Sequence, residues 1–422
     1  MRICFLSRRY FPAISGMSVY ARNYLRELVR MGHDVVMISQ YRGDSTGTRV
    51  YGGGPPPDVP GVRVIGARAR GEERVNEDRP ANFEADIRAM VDLAVEAHGE
   101  RPFDIVHAQY GYPTGLAALE ISRRTGIANV VSIQGGDGHW VGLCCETHRR
   151  AIQTVFRHAN ELIIGSRSFA GEVHENHGIP LERLRIIPGA IDVERFKPRA
   201  GREIGETADP PVLLYHGRVD RRKGVLELID AVDRLHRKGT ALRLIISGIG
   251  PDLEAARAAS AARSLDRVIE FSDYVDYDAV PDVYRRADLF VSPTWSEGFS
   301  NTILEAMASG LPIVASRSVG VVDCLTDDEN ALFHEVHDID GLARQIRRLI
   351  GDRALRRRLA ENALSEVQQK YQWPIVAGQV VERLEAVRTQ KPDDRWTDLY
   401  DPSQTVDQAD MSCRFRAAPH LL

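Results

Sequence analysis

Short runs of consecutive apolar residues, many of them β-branched, recur along the chain. Between them lie longer stretches in which apolar positions return every three or four residues. In the first half the runs are RICFLS, DVVMIS, FDIVHA, NVVSIQ and ELIIGS, with a helix predicted over about 15–31 and further helices between the later runs. A strand that is apolar at every position is covered on both faces, which is the condition of a parallel sheet built from strand–helix–strand units. After IIPGAIDVERFKP the chain turns polar through RAGREIGETADPP, which reads as an interdomain linker, and the pattern then restarts as PVLLYHG, ALRLIISG, RVIEFS, DLFVSP and LPIVAS. Two doubly wound α/β domains are therefore predicted, over 1–200 and 208–370, facing a cleft. A last helical pattern, YQWPIVAGQVVERLEAVR, covers about 371–388, and 389–422 is polar and poor in large apolar residues, which predicts a flexible or loosely packed tail.

Bulk properties change this picture only by exclusion. A chain of 422 residues exceeds what one core usually supports, in keeping with two domains. A net charge of −4 with mixed signs provides no basic field for nucleic acid. No apolar run approaches the roughly 18 residues that span a bilayer, and MRICFLSRRYFPAISG lacks a long apolar signal core, so a cytoplasmic protein is expected. Five scattered cysteines, Cys4, Cys144, Cys145, Cys324 and Cys413, fit a reducing compartment and argue against a disulfide framework.

The stretch EGFSNTILEAMASGLPIVAS, 297–316, concentrates the candidate chemistry. It reads as a loop, a helix closed by Gly310, and the next strand. In open parallel sheets ligands bind beyond the carboxyl ends of strands, where the following helix presents unpaired N–H groups and its positive end; such a place attracts phosphate. Gly298 permits close backbone approach, Ser300, Asn301 and Thr302 offer amides, and Glu297 and Glu305 flank the anion position. The alternative for Thr302 and Glu305 is a T-x-x-E capping box. At the end of another strand, HGRVDRRKG supplies Arg218 and Lys223, two cations able to neutralise a diphosphate without a metal, while Arg221 and Arg222 read as a solvated face. SGIGPD, 247–252, is a third glycine turn after a strand, without a full dinucleotide fingerprint.

Taken together, the Glu297 to Glu305 spacing, GRVDRRKG, GIGP, EAMASGLPIVAS, IPGAIDVERFKP and YFPAISG through MGHDVVMIS resemble the retaining family 4 glycosyltransferases of GT-B fold, over about 1–388. The resemblance implies two Rossmann-like domains, a nucleotide-diphosphate sugar held by the second, an acceptor held by the first, and a closing helix that returns to the first domain. It implies that Arg218 and Lys223 bind the diphosphate, Glu305 the ribose hydroxyls and Glu297 the transferred sugar, that Gly298, Phe299, Ser300 and Asn301 offer backbone to sugar and phosphates, and that Gly16 permits close approach after the first strand. No cofactor and no metal are expected; a UDP-sugar is favoured over a GDP-sugar from family frequency, and the acceptor, whether glycan, lipid-linked or a small molecule, is open.

The chain departs from the family pattern at Met17, where many members have a second glycine, and at Gln134, where many have a sugar-contacting histidine. Gln134 and His139 are the candidates for that role, the alternative being that both are loop packing residues; Asp137 is a candidate for an acceptor hydroxyl or a turn-forming residue. His139, Cys144, Cys145 and His148 lie close in sequence, but adjacent cysteines lack the C-x2-C spacing of ordinary zinc sites. His107 reads as a satisfied strand-end histidine. The functional alternatives are a related epimerase or phosphorylase, or a non-catalytic protein that binds sugar nucleotides.

Overall fold

The structure is a computed structural model that describes residues 1–8, 16–41, 59–73, 81–398 and 413–417. Most of the loop YFPAISG and of the segment YGGGPPPDVPG falls outside the described residues, as does much of the tail. The chain divides into two compact units, Met1–Pro188 with Trp373–Leu422, and Gly189–Gln372.

The first unit contains the strands β1 (Arg2–Ser7), β2 (Asp34–Tyr41), β3 (Val62–Arg68), β4 (Ile105–Gln109), β5 (Asn129–Ile133), β6 (Glu161–Ile164) and β7 (Leu184–Ile186). They form one parallel sheet in the order β3-β2-β1-β4-β5-β6-β7. β1, β4, β5 and β6 are buried at every position, as their unbroken apolar runs require. The predicted first helix is Gly16–Arg30. Helix Trp373–Val387 belongs to this unit, where Trp373 stands edge-on to Tyr20 at 5.1 Å between ring centroids.

In the second unit, β8 (Val212–His216), β9 (Arg243–Ser247), β10 (Ile269–Asp273), β11 (Leu289–Ser292), β12 (Ile313–Ser316) and β13 (Leu332–His334) form a parallel sheet in the order β10-β9-β8-β11-β12-β13. Alternate residues feed two separate cores: Leu213, Leu244, Leu289 and Val314 lie in one, and Leu214, Ile245, Phe290 and Ile313 in the other. Helix Val225–Arg237 packs into the first core, and helix Asn301–Ala308 into the second. Strand order reverses between β8 and β11, so the loops that follow these two strands diverge at a topological switch point.

The polar segment taken as a linker is part of the second unit. Arg202 pairs with the fully buried carboxylate of Asp288 at 2.6 Å, and Asp288 Oδ2 accepts from Ala208 N at 3.0 Å and Val212 N at 2.8 Å. Gly205 O accepts from Arg356 Nε at 2.9 Å. The segment is polar because it satisfies buried charges, and the division falls earlier, between Pro188 and Gly189.

The tail also differs from expectation in its described parts. Trp396, Cys413, Phe415 and Arg416 are buried. Arg416 makes a two-pronged pair with Glu84, 2.7 and 3.2 Å; its guanidinium also donates to Ala81 O at 2.9 Å, and Ala81 N donates to Arg416 O at 2.8 Å.

Candidate functional site

The candidate donor site is built on the carboxyl edge of the second sheet. β8 ends at His216, and Gly217, at φ +138°, turns the chain into the loop carrying Arg218 and Asp220 before a single 3-10 turn, Arg221–Lys223. Asp220 organises this loop. It accepts from Arg222 N at 3.0 Å and from the Arg222 guanidinium at 2.7 Å, and faces Arg218 at 3.6 Å. Burial acts to raise the Asp220 pKa, but the hydrogen bonds and positive charge of Arg222 outweigh it and hold the carboxyl down at about 2. Arg221, read as solvated, is largely exposed and pairs with Asp252 at 2.8 Å.

The glycine turn after β9 is shaped by this loop. A Cβ on Gly248 would lie 1.9 Å from Gly217 O, so the two backbones meet at a distance that no side chain tolerates. Val219 N donates to Ile249 O at 3.0 Å. SGIGPD therefore supports the position of Arg218.

After β11 the chain runs through Thr294, Trp295 and Ser296 to Glu297. Trp295 N donates to Arg222 O at 2.9 Å, fastening the two loops across the switch point. Glu297 N donates to Val319 O at 3.0 Å, and a Cβ on Gly320 would stand 2.2 Å from Glu297 O. Lys223 Nζ meets Glu297 Oε1 at 2.7 Å, with both side chains part-exposed, and lies 3.4 Å from Ser296 O. Lys223 and Glu297, 74 positions apart in sequence (297 − 223), thus form one charge pair.

Helix Asn301–Ala308 begins beside this pair, with Ser300 at its N-cap. The Ser300 hydroxyl makes no capping bond and lies 3.2 Å from the Thr302 hydroxyl. Phe299 packs on Tyr371, 5.7 Å between centroids. The capping-box alternative for Thr302 and Glu305 is not what forms: Glu305 is buried and its carboxylate accepts from Tyr284 Oη at 2.7 Å. Burial pushes the Glu305 carboxyl up to about 7, with the Tyr284 hydroxyl and the charge of Arg195 acting in the opposite direction. Tyr284 itself is clamped by Phe196, His216 and Phe290, with centroids 5.5 to 5.7 Å away. Sequence reasoning missed Tyr284 and Arg195, because nothing local in their segments points to a carboxylate brought in from elsewhere.

Arg218, Lys223, Glu297, Gly298, Phe299, Ser300, Asn301 and Glu305 thus gather at the edge of one sheet. The four first-unit candidates are arranged differently. Gly16 opens its helix. Gln134 is held by Gln109, whose amide also donates to Met17 O, at 2.9 and 2.8 Å. Asp137 is fully buried and accepts from the amides of Gly111, Gln134 and Gly135 at 2.7, 3.0 and 2.8 Å. Burial pushes its carboxyl up to about 6 against these bonds. It organises the turn, the second of its two sequence readings. His139 pairs with Glu172 at 2.8 Å and stacks on Phe169 at 4.3 Å, the packing alternative. His107 lies between Tyr24 Oη at 3.2 Å and Ser132 Oγ at 2.8 Å, and burial takes its pKa down to about 3: a satisfied core histidine.

Residues 15–190 match the family model for a glycosyl transferase 4-like domain, and 197–366 match that for glycosyl transferases group 1. The glycogen synthase of Mycobacterium tuberculosis is 28% identical over 398 residues, covering 89% of this chain and 92% of its own. Among solved structures, sucrose-phosphate synthase from Thermosynechococcus elongatus superposes with a TM-score of 0.76 at 22% identity, covering 91% of this chain and 99% of its own. The Anabaena protein HepE in complex with UDP-glucose gives 0.71 at 16%, covering 92% and 100%. No helix among the described residues is long and apolar enough to cross a membrane. Two tandem parallel-sheet units, each matched by its own half of the family description, identify the chain as a glycosyltransferase of family 4 with the GT-B fold.

Proposed function

We propose that the chain transfers a sugar from a nucleotide-diphosphate sugar, a UDP-sugar in the first instance, to an acceptor hydroxyl with retention of anomeric configuration and without a divalent metal. The observation that carries the reading is the set of charges at the β8/β11 switch point: Arg218 and Lys223 beside the N-terminus of helix Asn301–Ala308, with Glu297 paired to Lys223 at 2.7 Å and Glu305 buried behind. Two cations and a helix N-terminus suit a diphosphate, whose charge rises as it leaves. Glu305, reached through the first turns of that helix, is assigned the ribose hydroxyls, and Glu297 the transferred sugar. In the transfer step the bond from the anomeric carbon to the diphosphate oxygen breaks, a bond to the acceptor oxygen forms on the same face, and the acceptor proton passes to the departing phosphate. Glu297 then acts through position and charge. HepE, a structural relative crystallised with UDP-glucose, supports uridine as the first base to test. The acceptor is assigned to the first unit, and a cytoplasmic site of action accords with a water-soluble donor.

Incubation with a panel of nucleotide sugars, with and without candidate acceptors, tests the reading. Donor-dependent release of nucleoside diphosphate, unchanged by added magnesium or manganese, is expected. Sugar inversion without release would mark an epimerase instead, phosphate-dependent cleavage a phosphorylase, and binding without turnover a non-catalytic protein.

A further inference from the structure

The strongest cluster of chemistry outside the donor site lies in the first unit. Cys144 and Cys145 precede helix Glu146–His158, and His148 sits in its first turn. Cys413 arrives from the far end of the chain, just ahead of a short helix, Arg414–Ala417. One donor atom from each of these four residues lies within 4.8 Å of every other. His148 Nδ1 stands 3.3 Å from Cys144 Sγ, 3.2 Å from Cys145 Sγ and 3.4 Å from Cys413 Sγ, and the two adjacent sulfurs are 3.9 Å apart.

Those separations have a simple geometric meaning. Around a tetrahedral zinc ion with Zn–S arms of about 2.3 Å and a Zn–N arm of about 2.05 Å, the sulfur–nitrogen edges measure about 3.5 Å and the sulfur–sulfur edges about 3.8 Å. A disulfide would need sulfurs about 2.05 Å apart, and all five cysteines of the chain are free. His148 is fully buried, and the rings of Tyr112, Phe83 and Phe415 surround it at 4.9, 5.8 and 5.9 Å, so water is largely excluded from its side of the cluster. His139, the fourth member of the sequence-level group, is engaged elsewhere by Glu172, and Cys413 takes its place. The spacing argument against zinc concerned Cys144 and Cys145 alone; a ligand 265 residues from His148 was not visible to it.

We infer that Cys144, Cys145, His148 and Cys413 form a structural site for a thiophilic divalent cation, zinc being the best match. Three sulfurs and one imidazole nitrogen are a soft set that selects zinc over magnesium or calcium. Four protein donors close a tetrahedron and leave no position for substrate, so the ion holds chain segments together and takes no part in transfer. What it holds is the segment 413–417, fastened to the start of helix Glu146–His158 beside the Arg416–Glu84 pair.

The test uses the full chain purified under reducing conditions from zinc-supplemented medium, with bound metal measured by mass spectrometry. One zinc per chain is expected. Cys413→Ser and His148→Ala should lower that at least about tenfold, and Cys4→Ala, in a buried strand away from the cluster, should keep it. Cobalt(II) loaded into the unaltered chain should give the thiolate-to-metal charge-transfer absorption and strong d–d bands of a tetrahedral site, a readout independent of whether the variants fold. Donor turnover should persist in Cys413→Ser, separating this site from the transfer chemistry. The inference is overturned by reduced wild-type protein that binds neither zinc nor cobalt, by zinc content that Cys413→Ser leaves intact, or by a disulfide from Cys413 to Cys144 or Cys145 in protein isolated without oxidant.

Discussion

Glu305 is a carboxyl kept where its charge is costly, and its response to pH follows. Its pKa in the folded chain, about 7, lies above the ordinary 4.5, so the folded state favours the neutral form. The stability tied to this residue is fully present below about pH 4.5 and is lost as pH rises through about 7, in total about 3 kcal/mol at roughly 1.4 kcal/mol per pH unit. Glu305→Gln should therefore melt higher than wild type at pH 8 and lose that advantage at pH 5; equal melting curves at pH 8 would remove the burial argument. Ribose hydroxyls donating to the carboxylate would favour its charged form, so nucleoside diphosphate binding near pH 6.5 should release a proton, seen as a calorimetric heat that changes with buffer ionisation enthalpy. The same variant should bind nucleoside diphosphate more weakly by about 1–3 kcal/mol, since a charged acceptor becomes neutral. Lys223 and Glu297 are expected to behave as one unit. Arg218→Ala and Lys223→Ala should each cost about 2–4 kcal/mol of transition-state stabilisation. Lys223→Ala combined with Glu297→Gln should depart from the sum of the single losses by about 0.5–3 kcal/mol. Strict additivity in steady-state rates would mean that the 2.7 Å pair has no part in turnover.

Between elements, the site depends on backbones that touch. Gly320 sits at φ +76° with its missing Cβ directed at the carbonyl of Glu297, so Gly320→Ala has to push the Glu297 loop away or abandon its own turn. It should lower turnover while helix Asn301–Ala308 and its buried face persist; thermal melting beside steady-state rates checks this, and wild-type rates would refute it. The same contacts explain what could be read in advance. The loops bearing Arg218 and Glu297 and the helix bearing Glu305 were legible because glycines, cations and carboxylates punctuate unbroken apolar strands. The edge strands β3, β7 and β13 were not: β3 and β7 are largely open to solvent and carry arginines, and β13 has only three residues, so none offers a run long enough to recognise. Tyr284 and Cys413 escaped for another reason, because a partner joined only by the fold has no signature in its own neighbourhood. The polar segment 199–211 misled in the opposite direction, since Arg202 and the Ala208 amide meet buried Asp288 and the carbonyl of Gly205 meets Arg356.

At the scale of the whole molecule, the far end of the chain belongs to the core of the first unit. Arg416 and Glu84 are both almost entirely buried and answer each other's charge, so Arg416→Ala leaves a buried carboxylate alone and should cost about 3–5 kcal/mol, measured by denaturant unfolding of the first unit. A change below about 1 kcal/mol would mean that the pair is solvated in solution. The discontinuity of that unit has a further consequence, for biosynthesis. The ribosome delivers residues at about 5–20 per second, and domains fold as their segments emerge. The second unit, Gly189–Gln372, is a single uninterrupted stretch and is complete while the first still lacks helix Trp373–Val387, Trp396 and the Cys413 segment. The half made before the second unit is the half that finishes folding after it, because its last helix is still missing when the second unit is complete. Chains stalled with residue 372 just outside the tunnel should yield a protease-resistant fragment of the second unit and a cleavable first unit; equal resistance of both would show that the sheet of the first unit stands without its closing segments.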